Sequence, residues 1–193
     1  MQQGALNTNR ITIRGIGARA QYGTNKIKAY FDGIPLTTGE GETTIDAIDL
    51  ASSEKIEIIK GPNSTSFGSG LGGVIQLFSR ETPLLASFGK ATVTFGSFGL
   101  LQQRLSAGYD DSKTNIFSSY TDLQTDGFRA NSSYNRKSLN LHGKQKMGSN
   151  GILSFLGTFT RLKAFIPSSI NETDLKNSPE KAASTWAAAQ GYE

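Results

Sequence analysis

Residues 56–80 read IEIIKGPNSTSFGSGLGGVIQLFSR, and the way this stretch joins its two apolar ends decides the fold. Ile56, Ile58 and Ile59 surround Glu57 in a short β-branched run. Gly61-Pro62-Asn63-Ser64 has turn chemistry, and Val74 to Phe78 resumes a strand. The segment is therefore a strand, a glycine-rich loop and a second strand. Gly68, Gly70 and Gly73 also satisfy the G-x-G-x-x-G spacing, which in a nucleotide-binding fold requires a helix directly after the glycines, so that its amino end meets a pyrophosphate. The residues that follow are VIQLF. Their β-branched and aromatic content argues against a helix, and no βαβ repeat surrounds them. The glycines are read instead as backbone hinges.

The whole chain has the composition of a β-rich protein. Of its 193 residues only 36% are hydrophobic, 22 are glycine, and the mean hydropathy is -0.33, which suits many short strands joined by turns. No apolar run approaches the roughly 18 residues of a membrane helix, but a β-barrel needs none because only alternate residues face hydrocarbon. The net charge of +4 is scattered and gives nucleic-acid binding little support. Without cysteine and with the single histidine His142, disulfides, thiolate sites and histidine clusters are excluded. No metal, cofactor or enzymatic constellation is expected. The opening MQQGALNTNR lacks the pattern of a secretory signal.

Upstream of the deciding stretch, RITIRG at Arg10 to Gly15 alternates as a strand that enters a polar loop. Lys26 to Phe31 alternates again, Asp32-Gly33-Ile34-Pro35 is a turn, and Thr44 to Glu54 reads as a short helical or irregular connection. After Pro83 the pattern becomes period-two alternation in pieces of membrane-strand length. These are Lys90–Phe95, Leu101–Tyr109, Thr114–Leu123, Tyr134–Gln145 and Gly151–Arg161. Their connections alternate between tight and longer, as in outer-membrane barrels. Near the end, Ser178 as N-cap, Pro179 at the first position, Ala182 to Gln190 as helix formers and Gly191 just beyond predict a small helix within a long loop.

RITIRG (10–15), AYFDGIPL (29–36) and residues 56–80, taken in this order, resemble the plug domain of TonB-dependent outer-membrane receptors. The resemblance implies a mixed α+β plug domain over residues 1–84, followed over 85–193 by the first strands of an antiparallel transmembrane β-barrel, incomplete, and part of an extracellular loop. It implies active uptake of a scarce solute, with an iron chelate the favoured class, through a plugged barrel of about 22 strands. The partners it implies are the TonB energy-coupling complex, outer-membrane lipid and the solute. An unclosed wall leaves a bare edge in lipid, so the chain is expected to be a fragment. The alternative is a soluble β-rich module that binds carbohydrate or peptide.

The resemblance also assigns residues. Plug arginines in the family pair with glutamates on the inner barrel wall; Arg14 matches one, whereas Lys60 stands where a second is expected and lacks the planar fork. Their wall partners are expected beyond Glu193. The loops at 19–24 and 36–42 correspond to plug loops that reach the extracellular vestibule, which makes Arg19, Gln21, Tyr22, Thr37, Thr38 and Glu40 candidate ligand contacts. Gly15, Gly33, Gly61, Pro62, Gly68, Gly70, Gly72 and Gly73 are the plug's backbone turns. Glu57, between isoleucines, reads as a structural acid that faces the lumen or a backbone amide, and His142 as part of the wall. Asn63-Ser64-Thr65, Asn131-Ser132-Ser133 and Asn171-Glu172-Thr173 fit the glycosylation pattern, which is too short to carry weight.

Overall fold

The computed structural model describes residues 2–3, 9–17, 26–36, 43, 52–61, 67, 72–183 and 191–192. These fall in two compact units, residues 1–81 and 82–193.

In the first unit, β1 (Gln2–Gln3) pairs antiparallel with β2 (Asn9–Arg10). The strand expected over Arg10 to Gly15 is shorter than its alternation suggests. Ile13 and Ile16 exchange backbone hydrogen bonds across a two-residue turn whose centres, Arg14 and Gly15, have φ of 50° and 80°. Positive φ at both positions is what a tight primed hairpin turn needs, and the glycine meets that need without a Cβ clash. The alternation still sorts the side chains: Ile11 and Ile13 are buried and Thr12 is exposed.

The main sheet of this unit contains β3 (Ile27–Phe31), β4 (Ile34–Pro35), β5 (Ser53–Lys60) and β6 (Gly73–Ser79), in the order β4-β3-β6-β5. The second apolar end of the deciding stretch is β6, a central strand parallel to β3 and antiparallel to β5. Because the chain enters a strand at Gly73 itself, no helix follows the glycines and the nucleotide reading falls. Ser53 and Glu54, expected in the connection, instead open β5, since the ladder runs on to pair Ser53 with Ser79. Register puts Ile27, Ala29, Phe31, Ile75 and Leu77 on one face, all buried. Ile56 and Ile58 continue that face at the sheet edge, where about half of each remains exposed. The Asp32-Gly33 turn joins β3 to β4 and is tied to β6, as Asp32 Oδ1 accepts the Ser79 N–H at 2.9 Å. The described regular elements of this unit are strands. Phe67 is the one described residue of this unit in an α-helical conformation.

The second unit is an up-and-down meander of β7 (Ser87–Phe95), β8 (Leu101–Asp110), β9 (Thr114–Thr125), β10 (Tyr134–Met147) and β11 (Gly151–Phe165), each paired antiparallel with its sequence neighbour. All five expected strands are present, each longer than its alternating core. A short β12 (Gly191–Tyr192) adds to β11 at Ala164 and Phe165. The sheet does not close into a barrel. Period two gives it two unlike faces. One carries Val93, Phe95, Leu105, Tyr109, Tyr120, Leu139, Leu141, Phe155 and Phe159, all exposed. The other carries Ser106, Ser119, Thr121, Ser138, Asn140 and Thr158.

A helix stands ahead of the one expected. α1 (Glu172–Asn177) starts from Asn171, whose side chain accepts the Asp174 N–H at 2.7 Å, with Glu172 and Asp174 in its first turn and Lys176 in its last. Ser178, expected to begin a helix, ends this one: its N–H donates to the Asp174 carbonyl. Pro179 then sits in a turn, and Gly191 opens β12. Residues 184–190 of the expected helix lie outside the described residues. The capping signal at Asn171 overlaps the glycosylation pattern under which that asparagine was read.

Gly73 has φ of 131°, and a Cβ there would collide with the Ile59 carbonyl oxygen of the neighbouring strand. Gly73→Ala is expected to cost more than about 1 kcal/mol, read as a lower urea midpoint. Gly89→Ala, where a Cβ meets nothing within 4 Å, is expected to leave the midpoint unchanged.

Candidate functional site

Arg14 and Lys60 occupy equivalent places in the first unit. Arg14 is at the tip of its turn and Lys60 is the last residue of β5; each is exposed and each precedes a positive-φ glycine, Gly15 at 80° and Gly61 at 94°. Among the described residues neither has an ion-pair partner. Both are thus long cations presented from rigid backbone. Glu57 is otherwise placed than expected: it pairs with Lys55 on its own face of β5, and Lys55 also lies 5.5 Å from the centre of the Phe78 ring. Of the turn residues, Gly33 has φ of 81° and Gly72 packs so close to Ile27 and Ile16 that a side chain would clash. Pro62, Gly68 and Gly70 lie outside the described residues. So do all six candidate ligand contacts, Arg19, Gln21, Tyr22, Thr37, Thr38 and Glu40.

The tight-turn end of the second unit holds a constellation that local pattern did not foresee. Asn115 at the start of β9 accepts the Thr82 N–H at 3.2 Å through Oδ1, while its Nδ2 donates to the Thr82 carbonyl at 2.8 Å and to Asp110 Oδ2 at 2.7 Å. Thr82 Oγ1 donates in turn to the Ile116 carbonyl, and Asp110 Oδ1 accepts the N–H groups of Leu85 and Ser112, each at 2.9 Å. Leu85 sits at φ of 56°, a conformation costly for a branched side chain. One amide and one carboxylate therefore clip residues 82–85 to the β8–β9 turn. Next to them the backbone N–H groups of Thr114 and Lys113 hold the Asp111 carboxyl below its ordinary pKa. The two adjacent aspartates of Asp110-Asp111-Ser112-Lys113 were the available signal, as such side chains accept nearby backbone amides.

The polar face of the meander is also the more buried one: Ser119, Thr121, Ser138, Asn140 and His142 are each no more than 5% exposed. His142 lies in β10 with its ring stacked on Phe117 at 5.1 Å between centres. Among the described residues no group of three His, Cys, Asp or Glu could hold a metal ion.

Comparison with known proteins identifies the first unit. A family model described as the TonB-dependent receptor plug domain matches residues 1–74. Residues 1–74 are thus similar to the plug of TonB-dependent receptors. Over 74 residues it is 36% identical to the hemin receptor of Yersinia enterocolitica, covering 38% of this chain and 10% of that protein. The ferrioxamine receptor of the same organism is 26% identical over 94 residues, 49% of this chain and 12% of the relative. The chain thus spans about a tenth of the length of these curated relatives. Among solved structures, the ferric citrate transporter FecA in its unliganded form aligns over 93% of this chain and 28% of its own, with a TM-score of 0.73 at 16% identity. The ferric yersiniabactin uptake receptor FyuA from Yersinia pestis aligns over 93% and 29%, with a TM-score of 0.68 at 16% identity. At such identities the likeness is one of fold, and it extends past the plug into the meander.

Asn115→Ala removes both Thr82 contacts without touching the strand ladder. Exchange of the Thr82 amide is expected to quicken roughly five- to tenfold, the worth of about one hydrogen bond, while β9 amides keep their protection. Because the Asp111 pKa is lowered on folding, its stabilisation is present above its unfolded pKa and fades as pH falls through the folded one. Asp111→Ala is therefore expected to lower the unfolding midpoint at neutral pH and to change nothing at a pH below both values.

Proposed function

We propose that this chain forms the gate and entrance of an outer-membrane receptor of a Gram-negative cell. The receptor binds a scarce solute outside the cell and admits it when the TonB energy-coupling complex acts on the plug. The observation that carries the reading is the succession of a plug-family sequence over residues 1–74 and a meander with one apolar and one polar face. That pairing of faces suits a wall between hydrocarbon and a polar lumen. The names of the similar proteins, hemin, ferrioxamine, ferric citrate and ferric yersiniabactin receptors or transporters, favour an iron chelate as the solute. In this reading residues 1–84 are the plug and 85–193 the first wall strands and part of an extracellular loop. Solute binding shifts a loop equilibrium, and force then opens a path by local rearrangement of the plug. No bond chemistry is required.

Two groups of residues take roles. Arg14 is a plug latch toward a carboxylate on the inner wall; Lys60 is a second cation there, which keeps the charge without the bidentate fork. Arg19, Gln21, Tyr22, Thr37, Thr38 and Glu40 contact the solute from plug loops. The complete gene product is expected in the outer-membrane fraction, with uptake of a ferric chelate that stops when TonB is deleted. Uptake indifferent to that deletion would overturn the mechanism, and recovery of the protein in the aqueous phase would favour the soluble carbohydrate- or peptide-binding module. For the latch, Arg14→Ala is expected to raise passive entry of a small polar antibiotic several-fold; unaltered entry would remove Arg14 from that role.

A further inference from the structure

Asn115 treats Thr82 as a strand neighbour would. Its one side-chain amide accepts the Thr82 N–H and donates to the Thr82 carbonyl, the exchange by which two facing residues of an antiparallel ladder meet. The ladder itself does not reach this point. β7 begins its pairing at Ser87 with Tyr109, and Pro83, next to Thr82, has no N–H to contribute. The hold is built into its surroundings: Thr82 is 3% exposed, its Oγ1 donates to the Ile116 carbonyl, and it fills the space over Gly108, where a Cβ would collide with that hydroxyl. Further along, Asp110 takes the Leu85 N–H through its carboxylate, and its own N–H donates to the Ala86 carbonyl at 2.8 Å. Leu85 is kept at φ of 56°, a conformation that persists only where neighbours impose it. Leu84 and Leu85 are each 72% exposed, so the segment takes its position from polar contacts and not from burial of its apolar side chains.

These contacts stand directly upstream of the first long strand of the meander. Among the described residues β7 is bonded along one edge only. A strand pulled from its end gives way one ladder pair at a time, because each pair carries the load alone before it passes to the next. Bonds grouped on one short segment bear the load together. We propose that residues 82–86, held by Asn115 and Asp110, are a load anchor. A pull on the plug, carried along the chain past residue 81, stops at Thr82 and does not reach the Ser87 and Tyr109 pair. Asn115 and Asp110 act as positioning residues. The inference rests on the receptor reading above and adds to it the point at which the wall resists the energy-coupling complex.

The test uses the complete gene product as wild type, Asn115→Ala and Lys113→Ala, each expressed in cells with and without TonB and supplied with a ferric chelate. Lys113 lies in the same turn, but its side chain makes none of the clip contacts. The state of the wall is read from the heat-modifiable gel shift. In cells with TonB, the fraction of Asn115→Ala that keeps the shift is expected to fall several-fold below wild type. Without TonB the two should match, and Lys113→Ala should match wild type in both. A second readout pulls the purified protein, seated in a bilayer, from its plug end with a force microscope. In Asn115→Ala the load passes on to Leu85, so the wall is expected to resist after roughly 10 Å more extension, the reach of three freed residues. Loss of the shift to the same degree with and without TonB makes the clip a folding contact and overturns the anchor. No loss in either strain, with unaltered force traces, also overturns it and leaves the receptor reading standing. Wild-type uptake indifferent to TonB removes the receptor reading, whereas the force traces still decide whether Thr82 takes the load.

Discussion

The rest of the structure depends on the register of the antiparallel ladder. Every backbone N–H and C=O in a wall strand needs a partner, and pairing each strand with its sequence neighbour supplies one with the shortest connections. Once that pairing is set, period two leaves no freedom: a slip of one residue would send Leu139 and Phe159 to the polar face and Ser138 and Asn140 to the apolar one. The faces are not cosmetic. Exposed Phe95, Leu105 and Phe159 on one side, and buried serines, threonines and Asn140 on the other, are the reverse of a water-soluble sandwich, where apolar residues turn inward.

The first unit solves a different problem. β6 is buried along one face, half-buried at Gln76 and Phe78 on the other, and bonded on both edges, to β3 in parallel and to β5 antiparallel, so it has little room for compromise at its entry. Gly73 and Gly72 occupy that entry, one against the Ile59 carbonyl and the other against Ile27 and Ile16. The glycine-rich loop is thus explained at its final two residues by backbone approach rather than by a ligand. Arg14 and Lys60 are both exposed, and each stands beside a positive-φ glycine.

Where period two ran cleanly, the fold was legible from residues alone. Leu101 to Tyr109 could be read as a strand because Leu101, Leu105, Ala107 and Tyr109 fall on alternate positions, and from 103 onward the odd positions are exposed and the even ones half-buried. Strand ends were less legible: β10 reaches Met147 and β11 reaches Phe165, since hydrogen bonding continues after the apolar alternation has given way to Lys144, Lys146 and Lys163. The start expected at Ser178-Pro179 is not helical, whereas Asn171, with two acids behind it, caps a helix that ends at Ser178. The clip at Asn115 was beyond reach for another reason. Its partner is 33 residues away, and no local pattern records which asparagine a threonine will meet. The resemblance to a plug was legible because RITIRG, AYFDGIPL and residues 56–80 follow one another in that order along the chain.

That separation of 33 residues also bears on how the chain assembles. Thr82 cannot be held until β9 has begun, so residues 82–85 are clipped only after the β7–β8 hairpin is in place and the chain has turned back toward it. Closing so long a loop costs entropy that local strand pairing must first offset. The clip is therefore made late, by side chains rather than by the ladder. Residues 82–85 can stay slack while the strands pair and be drawn tight afterwards.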